Sequence, residues 1–248
     1  MPKRKIPITT GEFYHIYNRG LTDVSMFSSK ALNARAVSTV AYYQFSDRNT
    51  KFSDFIQQNI TDQHALWDQR IDHSKKLVDI LAYTLMPNHF HFLVREKTES
   101  GVGKFISSFA SSYTQFYNRS HNRRGPIFEG RFKAKLINSD THLLHISRYI
   151  HLNPYSSGLI NSYNELLRYP WSSFHVYRGH LNKRTQKNQE DHLNSYLKWS
   201  HFPHFVDTSY VLSYFRHPIE YITYVLKRAE YQRHLKELVR PSLRLNKN

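Results

Sequence analysis

Two histidines and a tyrosine are the residues here whose types and spacing allow chemistry. In TLMPNHFHFLV (Thr84 to Val94), His89 and His91 stand two residues apart inside an apolar run. Side chains alternate along a strand, so the two histidines share one face while Phe90 and Phe92 share the other. Neutral imidazoles placed that way can bind a divalent metal. Further on, RYIHLNP (Arg148 to Pro154) places Tyr149 and Asn153 four apart, on one face of a helix. A phenol, with a pKa of about 10, is a poor nucleophile near neutral pH. It attacks phosphorus well when a metal polarises the phosphate and nearby charge helps the phenolate form. The chemistry this set allows is phosphodiester cleavage.

Each signal is weak alone. The chain has 16 histidines, so an H-x-H pair arises easily by chance, and most helical tyrosines are filler. No H-E-x-x-H motif and no cysteine is present, which argues against the commoner zinc hydrolases. The pattern of the tyrosine helix adds weight. Leu143, Ile146 and Ile150 form an apolar stripe, while His142, His145, Tyr149 and Asn153 fall on a different face. His89, His91 and Asn153 could together hold a metal, with open positions left for phosphate oxygens. None of the three carries negative charge, so the site stays attractive to a phosphate. Basic residues come next. In RFKAKLI, Arg131, Lys133 and Lys135 alternate along a strand, with Arg123 and Arg124 in the loop before it. Arg19 ends the first strand, where it can meet backbone phosphates. Asn88 and Arg148, beside the histidines and the tyrosine, complete the expected DNA contacts.

Positioning these groups takes a small set of elements. FYHIYNRG (Phe13 to Gly20) reads as a first strand, and Ser28 or Ser29 caps a helix to about Phe45. Residues 46–75 are polar and read as an insertion with a short helical piece. KLVDILAYTLMP and NHFHFLVRE give two strands joined at Pro87-Asn88. Residues 98–103 read as a loop, and Lys104 to about Ser120 as a helix, with Phe105, Phe109, Tyr113 and Phe116 at helical spacing. Then come the strand 131–137 and a helix capped by Ser139 or Asp140 that ends near Asn153-Pro154. The expected class is α+β: a ferredoxin-like split βαβ core with an antiparallel sheet, plus one more helix. Short helical turns follow, then a polar linker, GHLNKRTQKNQEDH, and a long basic helix from Pro218 to Val239. The domain reading is a catalytic unit over 1–178 and a linker with a helical extension over 179–248.

Composition narrows the partners. Lys and Arg outnumber Asp and Glu by 35 to 19, a formal net charge of +16, and there are 18 Tyr and 16 Phe. A positive field with many aromatic rings suits nucleic acid, single strands above all. The absence of cysteine excludes disulfides. No secretory signal and no apolar run long enough to span a bilayer is found, so the expectation is a cytoplasmic protein without membrane contact.

In these motifs the chain resembles the REP-associated tyrosine transposases, single-tyrosine HUH enzymes of the IS200-like transposase superfamily. The matching pieces are FYHIYNRG, YTLMPNHFHFLV, GPIFEGRFKAKLI, RYIHLNP and YPWSSF (Tyr169 to Phe174), in family order over roughly residues 11–178. The resemblance implies an HUH pair, His89-Phe90-His91, on a central strand of a ferredoxin-like sheet. It makes Tyr149 the nucleophile towards single-stranded DNA and Asn153 the third metal ligand, with Mg2+ or Mn2+ as the ion. It implies a 5′-phosphotyrosine link, a free 3′-OH that can later rejoin strands, and hairpin-forming repeats as substrates. Segment 46–75 exceeds a minimal family core, and the region beyond about 179 matches weakly. Monomer and homodimer both remain open. Three rival readings stand beside this one: a domesticated hairpin-binding module, a binder of structured RNA, and a hydrolase using metal-bound water.

Overall fold

Four strands form one antiparallel sheet in the order β2-β3-β1-β4. The strands are β1 (Phe13–Arg19), β2 (Val78–Met86), β3 (His89–Glu96) and β4 (Lys133–Ile137). In this computed structural model residues 7–46, 50–73, 76–179 and 205–236 are described. Helix α1 (Lys30–Tyr43) follows β1, and α4 (Gly101–Ser120) joins β3 to β4. The order is that of the split βαβ core, with β3 an interior strand that carries His89 and His91.

The two sheet faces differ in chemistry. Phe90 and Phe92 are fully buried and meet Phe105 and Phe109 of α4, with ring centroids 5.5–5.9 Å apart. Burying one such side chain stabilises by about 1.5–3 kcal/mol. A slip of one residue in β3 would turn both rings outward and both histidines inward, so the phenylalanines fix the register that presents the histidines. The histidine face is covered by helix α5 (Asp140–Ser156). Two residues join β4 to α5. Ser139 caps the helix by accepting a bond from the His142 N–H at 3.2 Å.

Several boundaries depart from the sequence reading. Helix α1 starts after its Ser29 cap but stops at Tyr43. The polar segment 46–75 forms two helices rather than one short piece, α2 (Phe52–Phe55) and α3 (Ile60–His73). Phe52, Phe55 and Trp67 close on Tyr42 in a second small core. Helix α4 begins at Gly101 rather than Lys104. The Gly101 N–H is held by the Glu96 carboxylate at 2.7 Å, and a Cβ there would lie 2.3 Å from the Leu77 carbonyl oxygen. Strand β4 begins at Lys133, so Arg131 is not part of the expected ladder. Before it, the Glu129 N–H bonds the Arg19 carbonyl and the Asn18 amide bonds the Gly130 carbonyl, which ties the chain to the end of β1. Helix α5 runs past Pro154 to Ser156, where the proline carbonyl accepts from the Leu159 N–H.

Beyond α5 come α6 (Tyr163–Arg168), α7 (Phe174–Gly179), α8 (Ser209–Leu212) and α9 (Pro218–Leu226). The expected helix from Pro218 to Val239 is broken by a turn at Lys227 and Arg228. Helix resumes over 229–236, where Ala229 is buried. The expected linker after Gly179, and residues past 236, lie outside the described residues. Among the described residues no helix is long and apolar enough to cross a membrane.

Candidate active site

Strand pairing assembles the floor of the site. Tyr17 lies opposite His91, Arg19 opposite His89, and Lys133 opposite Tyr17, so all five point to the same face. Helix α5 lays Tyr149 over this floor. Its ring is edge-on to His91 at 5.5 Å and to His15 at 6.0 Å. Asn153, one turn later, is completely buried. Tyr149, Asn153, His89 and His91 are therefore brought together within one chain.

Hydrogen bonds orient the two histidines. His89 Nδ1 is 2.7 Å from Asn88 Oδ1, and His91 Nδ1 is 2.9 Å from His15 Nε2. Burial, with positive charge from Lys236, pushes His89 down to about 4. Burial drives His91 well below its ordinary value, helped by His15. Both are thus neutral at physiological pH, the form that can ligate a metal. Tyr149 is raised by burial, and the neighbouring Asn153 side chain opposes that rise.

The donor set fits a divalent cation. Asn153 Oδ1 already faces a cation, accepting from Lys236 Nζ at 3.1 Å. Its buried amide nitrogen has no hydrogen-bond partner. Among the described residues no cluster of three or more His, Cys, Asp or Glu side chains could hold a metal. The two histidines and the amide of Asn153 are a separate, uncharged donor set.

The basic residues divide into groups. Lys133 and Lys135 are exposed at the sheet edge, with ammonium groups 5.9 and 6.0 Å from the Tyr17 ring centre. Arg19 is exposed and 3.9 Å from Glu129. Arg124 and Arg131 are exposed as well. Arg123 is tied into its own loop, donating to Asn118 Oδ1 and the Pro126 carbonyl. Two further expected DNA contacts also touch neighbours within the chain. Arg148 lies over the Tyr224 ring at 4.4 Å, and Asn88 holds His89.

Residues 51–153 match the family model described as "Transposase IS200 like". The chain is similar to that family over this segment. The segment holds β2, β3, β4 and α5, and with them His89, His91, Tyr149 and Asn153. Among solved structures, "Structure of the REP associates tyrosine transposase bound to a REP hairpin" matches with a TM-score of 0.45 and 13% identity, covering 72% of this chain and 86% of that one. No curated protein matches.

Two residues at this site were not singled out from the sequence. His15 lies in FYHIYNRG, and strand alternation from Tyr17 and Arg19 would have placed it on the histidine face. Lys236 gave no signal, because its approach depends on the turn at Lys227 and on packing against α5. Arg233 donates to the Tyr155 and Ile160 carbonyls, and Glu230 accepts from the hydroxyls of Tyr155 and Tyr163. These contacts dock stretch 229–236 on the tyrosine helix and bring Lys236 to Asn153.

Proposed function

We propose that this protein is a metal-dependent transposase, or DNA strand transferase, that cleaves and rejoins single-stranded DNA at hairpin repeats. The observation that carries the reading is the meeting of Tyr149 and Asn153 with His89 and His91 on one sheet face. Tyr149 Oη attacks the phosphorus of a scissile phosphodiester. The bond from phosphorus to O3′ breaks, the phenolic proton leaves, and the departing 3′-oxygen gains a proton. The DNA stays on the tyrosine as a 5′-phosphotyrosine ester. A 3′-OH attacking that ester reverses the step and rejoins strands.

His89, His91 and Asn153 would hold the ion, Mg2+ or Mn2+. When bound, it supplies Lewis-acid polarisation of the phosphate. All three side chains are uncharged, so none of the ion's charge is neutralised before DNA arrives. The phenol arrives protonated because burial raises it, and the neighbouring Asn153 side chain favours its ionised form. Lys133 and Lys135 line the approach and pair with backbone phosphates, with Tyr17 beneath them. Arg19, Arg123, Arg124 and Arg131 extend that basic surface. The motif resemblance directs the choice of substrate to hairpins of REP type.

The test is a denaturing gel with labelled single-stranded hairpins from the DNA flanking the gene. Wild type should give a slow, protease-sensitive band that needs Mg2+ or Mn2+. Tyr149→Phe should lose the band and keep its hairpin affinity. Tight binding without any band from wild type would identify a non-catalytic hairpin binder instead. Equal loss of binding and band in the variant would make Tyr149 structural.

A further inference from the structure

A neutral imidazole carries one N–H and one lone pair. Which nitrogen holds the proton is set by the partner of the other. At this site both Nδ1 atoms have partners, and those partners come from different places in the chain. Asn88 sits in the turn between β2 and β3, held there by its carbonyl accepting from the Gly20 N–H at 2.7 Å. His15 is on β1, two residue pairs along the ladder from Tyr17 and His91, so it meets His91 diagonally on the same face.

We propose that His15 and Asn88 are the positioning residues of this centre, each holding the Nδ1–H of one histidine so that the Nε2 lone pairs of His91 and His89 turn together towards Asn153. For the use of those lone pairs, the inference rests on the metal-centre reading above.

The argument for His89 is direct. Its Nδ1 faces an amide oxygen at 2.7 Å, and an oxygen of that kind only accepts. The Asn88 contact places the proton on Nδ1, while the Asn153 side chain also bonds the ring and favours its charged form. For His91 the partner is another imidazole at 2.9 Å, and the bond can run either way. The Lys236 ammonium sits on Asn153 Oδ1 at 3.1 Å, and a ring turned towards Asn153 meets that cation better with a lone pair than with an N–H. His91 Nδ1 is then the donor and His15 Nε2 the acceptor, with the His15 proton on Nδ1. The Tyr17 ring packs on both imidazoles, at 5.0 Å from His15 and 5.9 Å from His91, and holds the pair in place. Asn88, which the sequence suggested as a DNA contact, acts here through His89.

The test reads the tautomers directly. Long-range nitrogen–proton NMR on the metal-free, full-length protein labelled with 15N-histidine should show His89 and His91 both protonated at Nδ1. A proton on Nε2 of His91 in wild type overturns the proposal for His15, and one on Nε2 of His89 overturns it for Asn88. His15→Leu should shift His91 towards the Nε2–H form and weaken Mn2+ binding, read by paramagnetic resonance of free Mn2+, by about 10- to 100-fold. His15→Gln, whose amide oxygen can accept, should restore most of both. Unchanged tautomer and Mn2+ affinity in His15→Leu overturns the role of His15. Should His15→Leu not fold, the wild-type tautomers and His15→Gln still decide. If wild type shows the expected tautomers but binds no Mn2+, the metal-centre reading fails while the positioning of the two rings stands.

Discussion

Acid should unfold this protein in part through His151, a residue with no solvent exposure. Its Nε2 lies 2.7 Å from Ser173 Oγ and its Nδ1 2.7 Å from the Tyr221 hydroxyl. Burial pushes it down to about 3, from an ordinary value of 6.5. Between those two values the unfolded chain binds a proton that the native chain does not. Stability is fully present above 6.5 and falls as pH drops towards 3. The slope is about 1.4 kcal/mol per pH unit for one such group. Moving from pH 6.5 to about 4.5 therefore costs about 2 kcal/mol through His151 alone, against a typical total of about 5–15 kcal/mol. His15, pushed down to about 4 by burial and by Lys135, adds to the same window. The assay is urea unfolding at a series of pH values, wild type beside His151→Gln. Glutamine keeps a donor and an acceptor but does not titrate. Its absolute stability can differ; the slope against pH is the readout. Below pH 6.5 the variant should be shallower by about 1.4 kcal/mol per pH unit. Equal slopes would refute the reasoning, because groups common to both proteins cancel in the comparison.

Other consequences can be checked separately. Replacing Lys133 and Lys135 by alanine should weaken hairpin binding across sequences and reduce the slope of log affinity against log salt by about 0.7 for each lost phosphate contact; an unchanged slope would remove them from the interface. Trp67→Ala empties the small core it shares with Tyr42, Phe52 and Phe55, and should cost about 3–5 kcal/mol with α2 and α3 losing hydrogen-exchange protection first. Uniform loss of protection would mean that this core is not a separate unit. Gly101→Ala should lower stability by about 1–3 kcal/mol, since the new Cβ meets the rigid Leu77 carbonyl, and an unshifted thermal midpoint would contradict that geometry.

The sheet and its site were readable to different depths. Alternation in NHFHFLV was enough to put His89 and His91 on one face, because Phe90 and Phe92 demand a core. Spacing likewise put Tyr149 beside Asn153. The two-helix segment over 52–73 was less legible, since its apolar residues are few and its core is completed by Tyr42 from α1. The stripe on α5 was read too simply. Ile146 is only half-buried, while Ser147 and His151 are buried with hydrogen-bond partners, a pattern that hydropathy does not reveal. Arg148, expected among the DNA contacts, also packs on Tyr224, which its position in the sequence did not reveal. Lys236 reaches Asn153 across 83 residues of chain, a contact that no local pattern encodes.

The dependence of the tyrosine helix on stretch 229–236 bears on how the protein is made. Chains leave the ribosome N-terminus first, so the sheet and α5 emerge well before Gln232, Arg233 and Lys236. During that interval the Tyr155 and Ile160 carbonyls lack the guanidinium that later binds them, and Asn153 lacks its ammonium partner. The four residues of the candidate site are thus all synthesised before the residue that completes their electrostatic surroundings, and the site acquires its final charge late in synthesis.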